Sequence, residues 1–311
     1  MKATKRSLFD IAANLADDRF IPDLKNVLKR AKDYNVNKLL LGGTYLEDSK
    51  RSYEISLMDE NYYCTVGIHP CRAAQYVLDK KTFEEYALET EKLIQNCKKG
   101  KIVAIGECGL DYDRFSFAGK DFQLKFVPHF YLSGCRAFPI HFDWAKKYNL
   151  PMYLHERSSN GDFSKLVKEN RGKFTTGVVH SFTGEPELMK ELVGMDLFIG
   201  VTGCSLKTQA NMDMVKQIPL DRILLETDSP YCTIRPSFPS FKMVKTQFKP
   251  APKCQKVTEA DTILRNRNEP CAIVQVLEVV AALKGISDDE LAKASWDNSL
   301  RVFGIPAAPA I

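Results

Sequence analysis

Short aliphatic and β-branched runs return along the chain, each followed by a stretch with helical periodicity. Eight of them read as strands: Leu8–Ile11, Lys38–Leu41, Tyr62–Ile68, Ile102–Ile105, Met152–His155, Gly177–His180, Leu197–Val201 and Ile223–Glu226. None alternates strictly between apolar and polar residues. Each is therefore expected to be buried on both faces, as in a parallel sheet covered by helices. The intervening stretches are amphipathic. Leu24, Val27, Leu28 and Ala31 share one helical face, with Asp23, Lys25, Lys29 and Arg30 on others. Phe83, Tyr86, Ala87 and Leu93 mark a second helix. A third runs from about Glu269 through Ile273, Val276, Leu277 and Val280 to Leu283, stopped by Gly285. Repeated strand–helix units make an α/β fold of the (β/α)8 TIM-barrel type the economical architecture. An open doubly wound sheet is the structural alternative.

A chain of 311 residues suits such a barrel as a single domain, 1–311, with the barrel at about 7–304. The 44% hydrophobic and 27% charged fractions exclude wholesale disorder. The net charge of +5, from 44 basic and 39 acidic residues, permits a polyanionic partner without requiring one. No apolar run approaches the roughly 20 residues of a membrane span. The basic start leads into Ser7–Asp10 without the apolar core of a secretory signal, so the cytoplasm or nucleus is the expected compartment. Nine scattered cysteines, an odd count without a C-x-x-C pair, make a disulfide framework or Cys-rich zinc site unexpected. Residues 229–256 form a long proline-punctuated loop, of the kind that is either functional or disordered. Nothing calls for a partner subunit, so a monomer is the expectation.

The polar residues are informative by position. Asp10 and Asn14 follow the first run, His69 and Glu107 follow the third and fourth, and His155, His180 and Asp228 lie at the ends of the fifth, sixth and eighth. In a barrel the carboxyl ends of the strands converge on one face, where active sites lie. Three of the five histidines stand there; His129 and His141 do not, and read as surface or packing residues. Imidazole and carboxylate together suit magnesium, manganese or zinc, with no thiolate bias toward a softer metal. One or two such ions would activate water and neutralise a phosphoryl oxygen. Cys108, Cys204 and Cys232 also neighbour strand ends and read as small buried hydrophobes.

These residues sit in motifs that resemble those of the TatD family of metal-dependent deoxyribonucleases, in its eukaryotic branch. The motifs are Asp10–Leu15, Gly67-Ile68-His69-Pro70, Ile105–Tyr112, Tyr153–Arg157, Val178–Phe182, Gly203–Lys207, Leu225-Glu226-Thr227-Asp228-Ser229-Pro230-Tyr231 and Arg267–Pro270. The likeness runs from Phe9 to Phe303, and the ordered set is far more specific than any one tetrapeptide. It implies a TIM-barrel metallohydrolase with divalent metal held by Glu107, His155, His180 and Asp228, Glu107 being the bridge. It also implies hydrolysis of DNA phosphodiesters, best known as 3′→5′ exonuclease action on single strands. Many relatives carry His-x-His on the first strand; here those places are Ala12 and Asn14. The first metal site is then completed by water and substrate phosphate. A second departure is an insertion at 126–137, which interrupts one helix before the fifth strand.

The expected roles follow. Asp228 orients or deprotonates the attacking water, with Glu107 beside it. His69 binds phosphate or protonates the leaving oxygen. Arg157 clamps phosphate through two nitrogens, and Asn14 faces the substrate. Lys242, Lys245, Lys249, Lys253 and Lys256, interleaved with Phe241 and Phe248, suit a single DNA strand. The rival enzyme class is a small-molecule amidohydrolase on the same barrel, against which stands the missing His-x-His. A metal-binding scaffold without turnover is a third reading.

Overall fold

A computed structural model describes residues 7–124, 137–252, 255, 257, 259 and 261–307. Its strands are β1 (Leu8–Asp10), β2 (Val36–Leu41), β3 (Tyr62–Val66), β4 (Ile102–Asp111), β5 (Met152–Arg157), β6 (Gly177–His180), β7 (Leu197–Val201) and β8 (Ile223–Leu225). They lie side by side in chain order, each parallel to the next. A doubly wound sheet reverses its strand order at a switch point; this one never does, and the fold is the TIM barrel. Strands β4 and β5 run further than their apolar heads, to Asp111 and Arg157. The ladder between them shifts register between Ile105 and Cys108, and all of β4 is buried, Glu107 and Asp111 included.

The seam between β8 and β1 is closed by other means. An isolated parallel bridge joins Ala13 to Ser229, and the Asn14 amide donates to the Ser229 carbonyl at 2.9 Å. Beneath it the Asp10 carboxylate accepts the Thr227 amide at 2.9 Å, the Thr227 hydroxyl at 2.6 Å and the Ala12 amide at 3.2 Å. Burial pushes the Asp10 pKa up to about 8 against these donors.

Successive strand residues point to opposite faces, and two buried apolar clusters result. One gathers Phe9, Leu40, Val103, Tyr153, Val178, Phe198 and Leu224 with the end of the helix Asp288–Phe303. The larger one lies between the strands and the surrounding helices, among them Leu24–Asp33, Phe83–Asn96 and Ile273–Lys284. A buried ionic cluster ties the first of these helices to the last. Arg30 pairs with Glu269 at 2.7 Å, and Arg267 pairs with Glu269 at 2.9 Å and Asp23 at 2.7 Å. Among the described residues, no single helix is long and apolar enough to cross a membrane.

The 229–256 segment is not a free loop where it is described. Phe241, Met243 and Val244 pack against the core. Glu278, on the helix Ile273–Lys284, accepts the amides of Lys245 at 2.7 Å and Thr246 at 3.0 Å. The segment thus folds back along that helix. Lys253, Lys256, His129 and residues 126–136 of the expected insertion lie outside the described residues; Ala137 begins the helix Ala137–Tyr148. The reading of Cys204 and Cys232 as separate buried hydrophobes is corrected: they are paired as a disulfide, joining the segments after β7 and β8. Two residues 28 apart in sequence gave no local sign of that pairing.

Candidate active site

Glu107 enters from β4, His155 from β5 and His180 from β6, all at the carboxyl rim. One oxygen, Glu107 Oε1, meets three imidazoles: His180 Nε2 at 2.7 Å, His155 Nδ1 at 2.9 Å and His69 Nε2 at 3.2 Å. The nitrogens His155 Nδ1 and His180 Nε2 stand 3.3 Å apart. Close backbone approach helps bring β4 to β5: Gly109 faces His155 in the ladder with φ +149°, and a Cβ there would lie 1.9 Å from the His155 carbonyl oxygen.

Burial and close approach couple the protonation of these groups. Burial would raise the Glu107 pKa, but the His180 charge and the hydrogen bonds from the His155 and His180 imidazoles hold it well below the usual range. Burial would lower His180 and His155. Glu107 with Glu226 drives His180 well above its ordinary value, and Asp111 with Glu107 raises His155. Two protons cannot both occupy the narrow gap between these inner nitrogens, whereas one divalent cation satisfies both and the carboxylate together. Ligand atoms about 2.0–2.2 Å from a common ion stand roughly 3.0–3.5 Å from one another. The 3.3 Å separation of the inner nitrogens fits that spacing, and the carboxylate contacts at 2.7 and 2.9 Å are slightly shorter than it.

The outer nitrogens support the same donor set. His155 Nε2 and His180 Nδ1 are buried without a hydrogen-bond partner. Each faces one buried carboxylate at 3.4 Å, Asp111 Oδ2 for His155 and Glu226 Oε2 for His180. A carboxylate behind an imidazole fixes the proton on the outer nitrogen and leaves the inner lone pair for a metal. Glu226 accepts the Ser181 amide through Oε1, in a slot that a Cβ at Gly200 would fill, at 2.2 Å from that oxygen. Neither Asp111 nor Glu226 was singled out in the sequence. Their signal was a charged residue closing an otherwise apolar run.

His69 differs from the other two. Ligand atoms of His69, Glu107 and His155 all lie within 4.8 Å, so distance alone would group it with the metal donors. Its Nδ1, however, accepts the Cys71 amide at 3.0 Å. A neutral ring so engaged carries its proton on Nε2, the atom that faces Glu107. Burial keeps the ring in that neutral form. His69 therefore presents a donor rather than a lone pair.

The remaining residues divide. Asp228 stands at the β8 end with φ +51°, and its Oδ1 accepts Asn14 Nδ2 at 2.9 Å. Burial pushes the Asp228 pKa up to about 7. Arg157 lies on the rim, its Nε 2.9 Å from Asp113 Oδ2. Lys245 pairs with Asp288 at 2.9 Å and Lys249 with Asp261 at 2.7 Å. Lys245 lies on the stretch bonded to Glu278 and Lys249 beside Ile263, whose amide donates to the Lys249 carbonyl at 3.0 Å, and both ammonium groups are paired with Asp288 and Asp261 rather than with Glu107. Phe241 packs on the core and Phe248 meets Tyr34 at 5.0 Å, so neither ring stands free. His141 is a core residue.

The model of the TatD related DNase family matches residues 9–304. The deoxyribonuclease Tat-D of Schizosaccharomyces pombe is 37% identical over 284 residues, spanning 90% of this chain and 87% of that protein. The 3′-5′ ssDNA/RNA exonuclease TatD of Pantoea ananatis is 28% identical over 302 residues, spanning 96% and 100%. A solved structure of a TatD family hydrolase from Entamoeba histolytica superposes with a TM-score of 0.83 at 30% identity, covering 97% of this chain and 99% of that one.

Proposed function

Since the chain belongs to the family of TatD related DNases, we propose that its rim cluster hydrolyses DNA phosphodiesters with divalent cations, removing nucleotides from the 3′ end of single strands. The observation that carries this reading is the meeting of Glu107, His155 and His180, from three strands, around one carboxylate oxygen. Glu107, His155, His180 and Asp228 would hold the cation, magnesium, manganese or zinc, which would supply activation of water and neutralisation of the phosphate. These residues would hold one or two such ions.

The protein's own groups do the rest. Asn14 fixes the Asp228 carboxylate from one side. Asp228 takes the proton of the attacking water as its oxygen bonds to phosphorus. The bond from phosphorus to the 3′ oxygen of the preceding nucleoside breaks; His69 donates a hydrogen bond to that oxygen through Nε2–H, and the oxygen takes its proton from water. A nucleoside 5′-phosphate and a new 3′ hydroxyl result. Arg157 exchanges its exposed partner Asp113 for a phosphate, which a planar guanidinium grips through two nitrogens. Lys245 and Lys249 meet only a strand that extends beyond the rim.

The test uses a 5′-end-labelled single strand, with magnesium or manganese, and a cyclic amide in parallel. Stepwise shortening from the 3′ end is expected, falling at least about 100-fold in Asp228→Asn. Unchanged cleavage by that variant would remove Asp228 from the mechanism. Amide turnover without DNA cleavage would favour the amidohydrolase class.

A further inference from the structure

Among the described residues, the aromatic side chains that stand exposed are Phe115 at 44%, Phe117 at 67% and Tyr231 at 50%; the other exposed large hydrophobics are aliphatic. Single apolar residues on a surface are ordinary. The coincidence of place is not, because all three stand on segments leaving the carboxyl ends of β4 and β8, beside the cluster. Phe115 and Phe117 follow Asp111, whose carboxylate lies 3.4 Å from His155. Six residues of chain reach at most about 20 Å, which bounds how far either ring stands from Asp111. Tyr231 is closer still, in a turn whose amide donates to the Asp228 carbonyl at 2.8 Å.

Two of the rings are braced. Phe115 lies against Tyr112 with centroids 5.0 Å apart, and the Tyr112 hydroxyl donates to Asp162 at 2.7 Å. The Arg19 guanidinium sits 4.6 Å from the centroid of Tyr231. Cations flank the rings: Arg114 immediately before Phe115, Lys120 over Tyr112 at 4.8 Å, and Arg157 on the adjoining strand end. Rings with flat faces open to water, flanked by groups that pair with phosphates, match an unpaired strand. A duplex hides its base faces, whereas a single strand offers one per nucleotide, whatever the sequence.

We propose that Phe115, Phe117 and Tyr231 form a base-stacking platform that receives the unpaired bases of a single-stranded nucleic acid at the mouth of the cluster. The proposal rests on the reading of that cluster as a phosphodiester hydrolase. It also moves the stacking surface away from Phe241 and Phe248, whose rings are engaged elsewhere.

The experiment compares a ten-nucleotide thymidine strand with an abasic strand of equal length, which keeps the phosphates and lacks the bases. Cleavage of both is followed in manganese with the wild type, the Phe117→Leu/Tyr231→Leu double variant and Phe117→Trp. Leucine keeps the apolar volume and loses the aromatic face. The wild type is expected to favour the thymidine strand through a lower KM, by about tenfold for each stacked ring. The double leucine variant loses this preference and Phe117→Trp keeps it. A leucine variant that still prefers the thymidine strand as strongly as the wild type overturns the platform and leaves the hydrolytic site standing. A wild type that cleaves neither strand, in manganese or magnesium, removes the site's reading and the platform together.

Discussion

At the scale of single residues, what separates the histidines is which atom each ring has free. His155 and His180 turn one nitrogen to Glu107 and the other to a buried carboxylate. Replacing Asp111 by Asn or Glu226 by Gln keeps the shape and removes the charge that fixes the outer proton. Affinity for manganese or zinc, read by calorimetry, should fall about 10- to 100-fold in each, with altered imidazole nitrogen shifts in the metal-free protein. Wild-type affinity in both variants would make these carboxylates bystanders. His141 makes the opposite use of its ring. Its Nε2 accepts the Ile68 amide at 2.8 Å, its Nδ1 faces the Ala137 carbonyl, and burial pushes its pKa down to about 4. The unfolded chain takes up this proton near pH 6.5, the folded protein only near 4. Stability is therefore full above pH 6.5 and lost as pH falls through that window, by roughly 3 kcal/mol from this ring alone. Urea midpoints of wild type and His141→Gln, compared from pH 7 to pH 4, should converge as pH falls; parallel curves would contradict the assignment.

Elements are held in place by contacts of very different worth. The Arg30–Glu269–Arg267–Asp23 cluster joins the helix Leu24–Asp33 to the segment entering Ile273–Lys284, and the Arg30 and Glu269 side chains are 4% and 0% exposed. Removing one partner leaves a buried charge uncompensated. Glu269→Ala should cost about 3–5 kcal/mol. Lys249→Ala should leave the unfolding midpoint close to that of the wild type, since its pair with Asp261 is 68% and 64% exposed. Denaturant titration of the two variants checks the contrast, and similar losses would refute it. The same cluster bears on the site. Asn268, between its two members Arg267 and Glu269, donates through Nδ2 to the Thr227 carbonyl at 3.0 Å, next to Asp228. A helix junction on the outside of the barrel thereby steadies the β8 end.

For the whole molecule, a cation bound to the folded state alone must raise its stability. At 100 times the dissociation constant the gain is about 2.7 kcal/mol, or about 4 °C of melting temperature for a chain this long. Stripping with a chelator should lower the melting temperature, and manganese should restore it in wild type but not in Glu107→Gln. A melting temperature indifferent to metal would mean the rim holds none. The order of the strands, the barrel, and the rim positions of Glu107, His155, His180 and Asp228 were all legible in the sequence. Burial on both faces makes a parallel strand a short apolar run, and a polar residue closing such a run marks the carboxyl end. Period and position along the chain are local properties, and the sequence states them directly. Tertiary structure alone decided the carboxylates behind each imidazole, the donor character of His69, the Cys204–Cys232 pairing and the course of residues 241–246 along an outer helix. It also decided which aromatic rings were left facing water. Each of these depends on which distant groups come within a few ångströms, a distance that neither composition nor periodicity encodes.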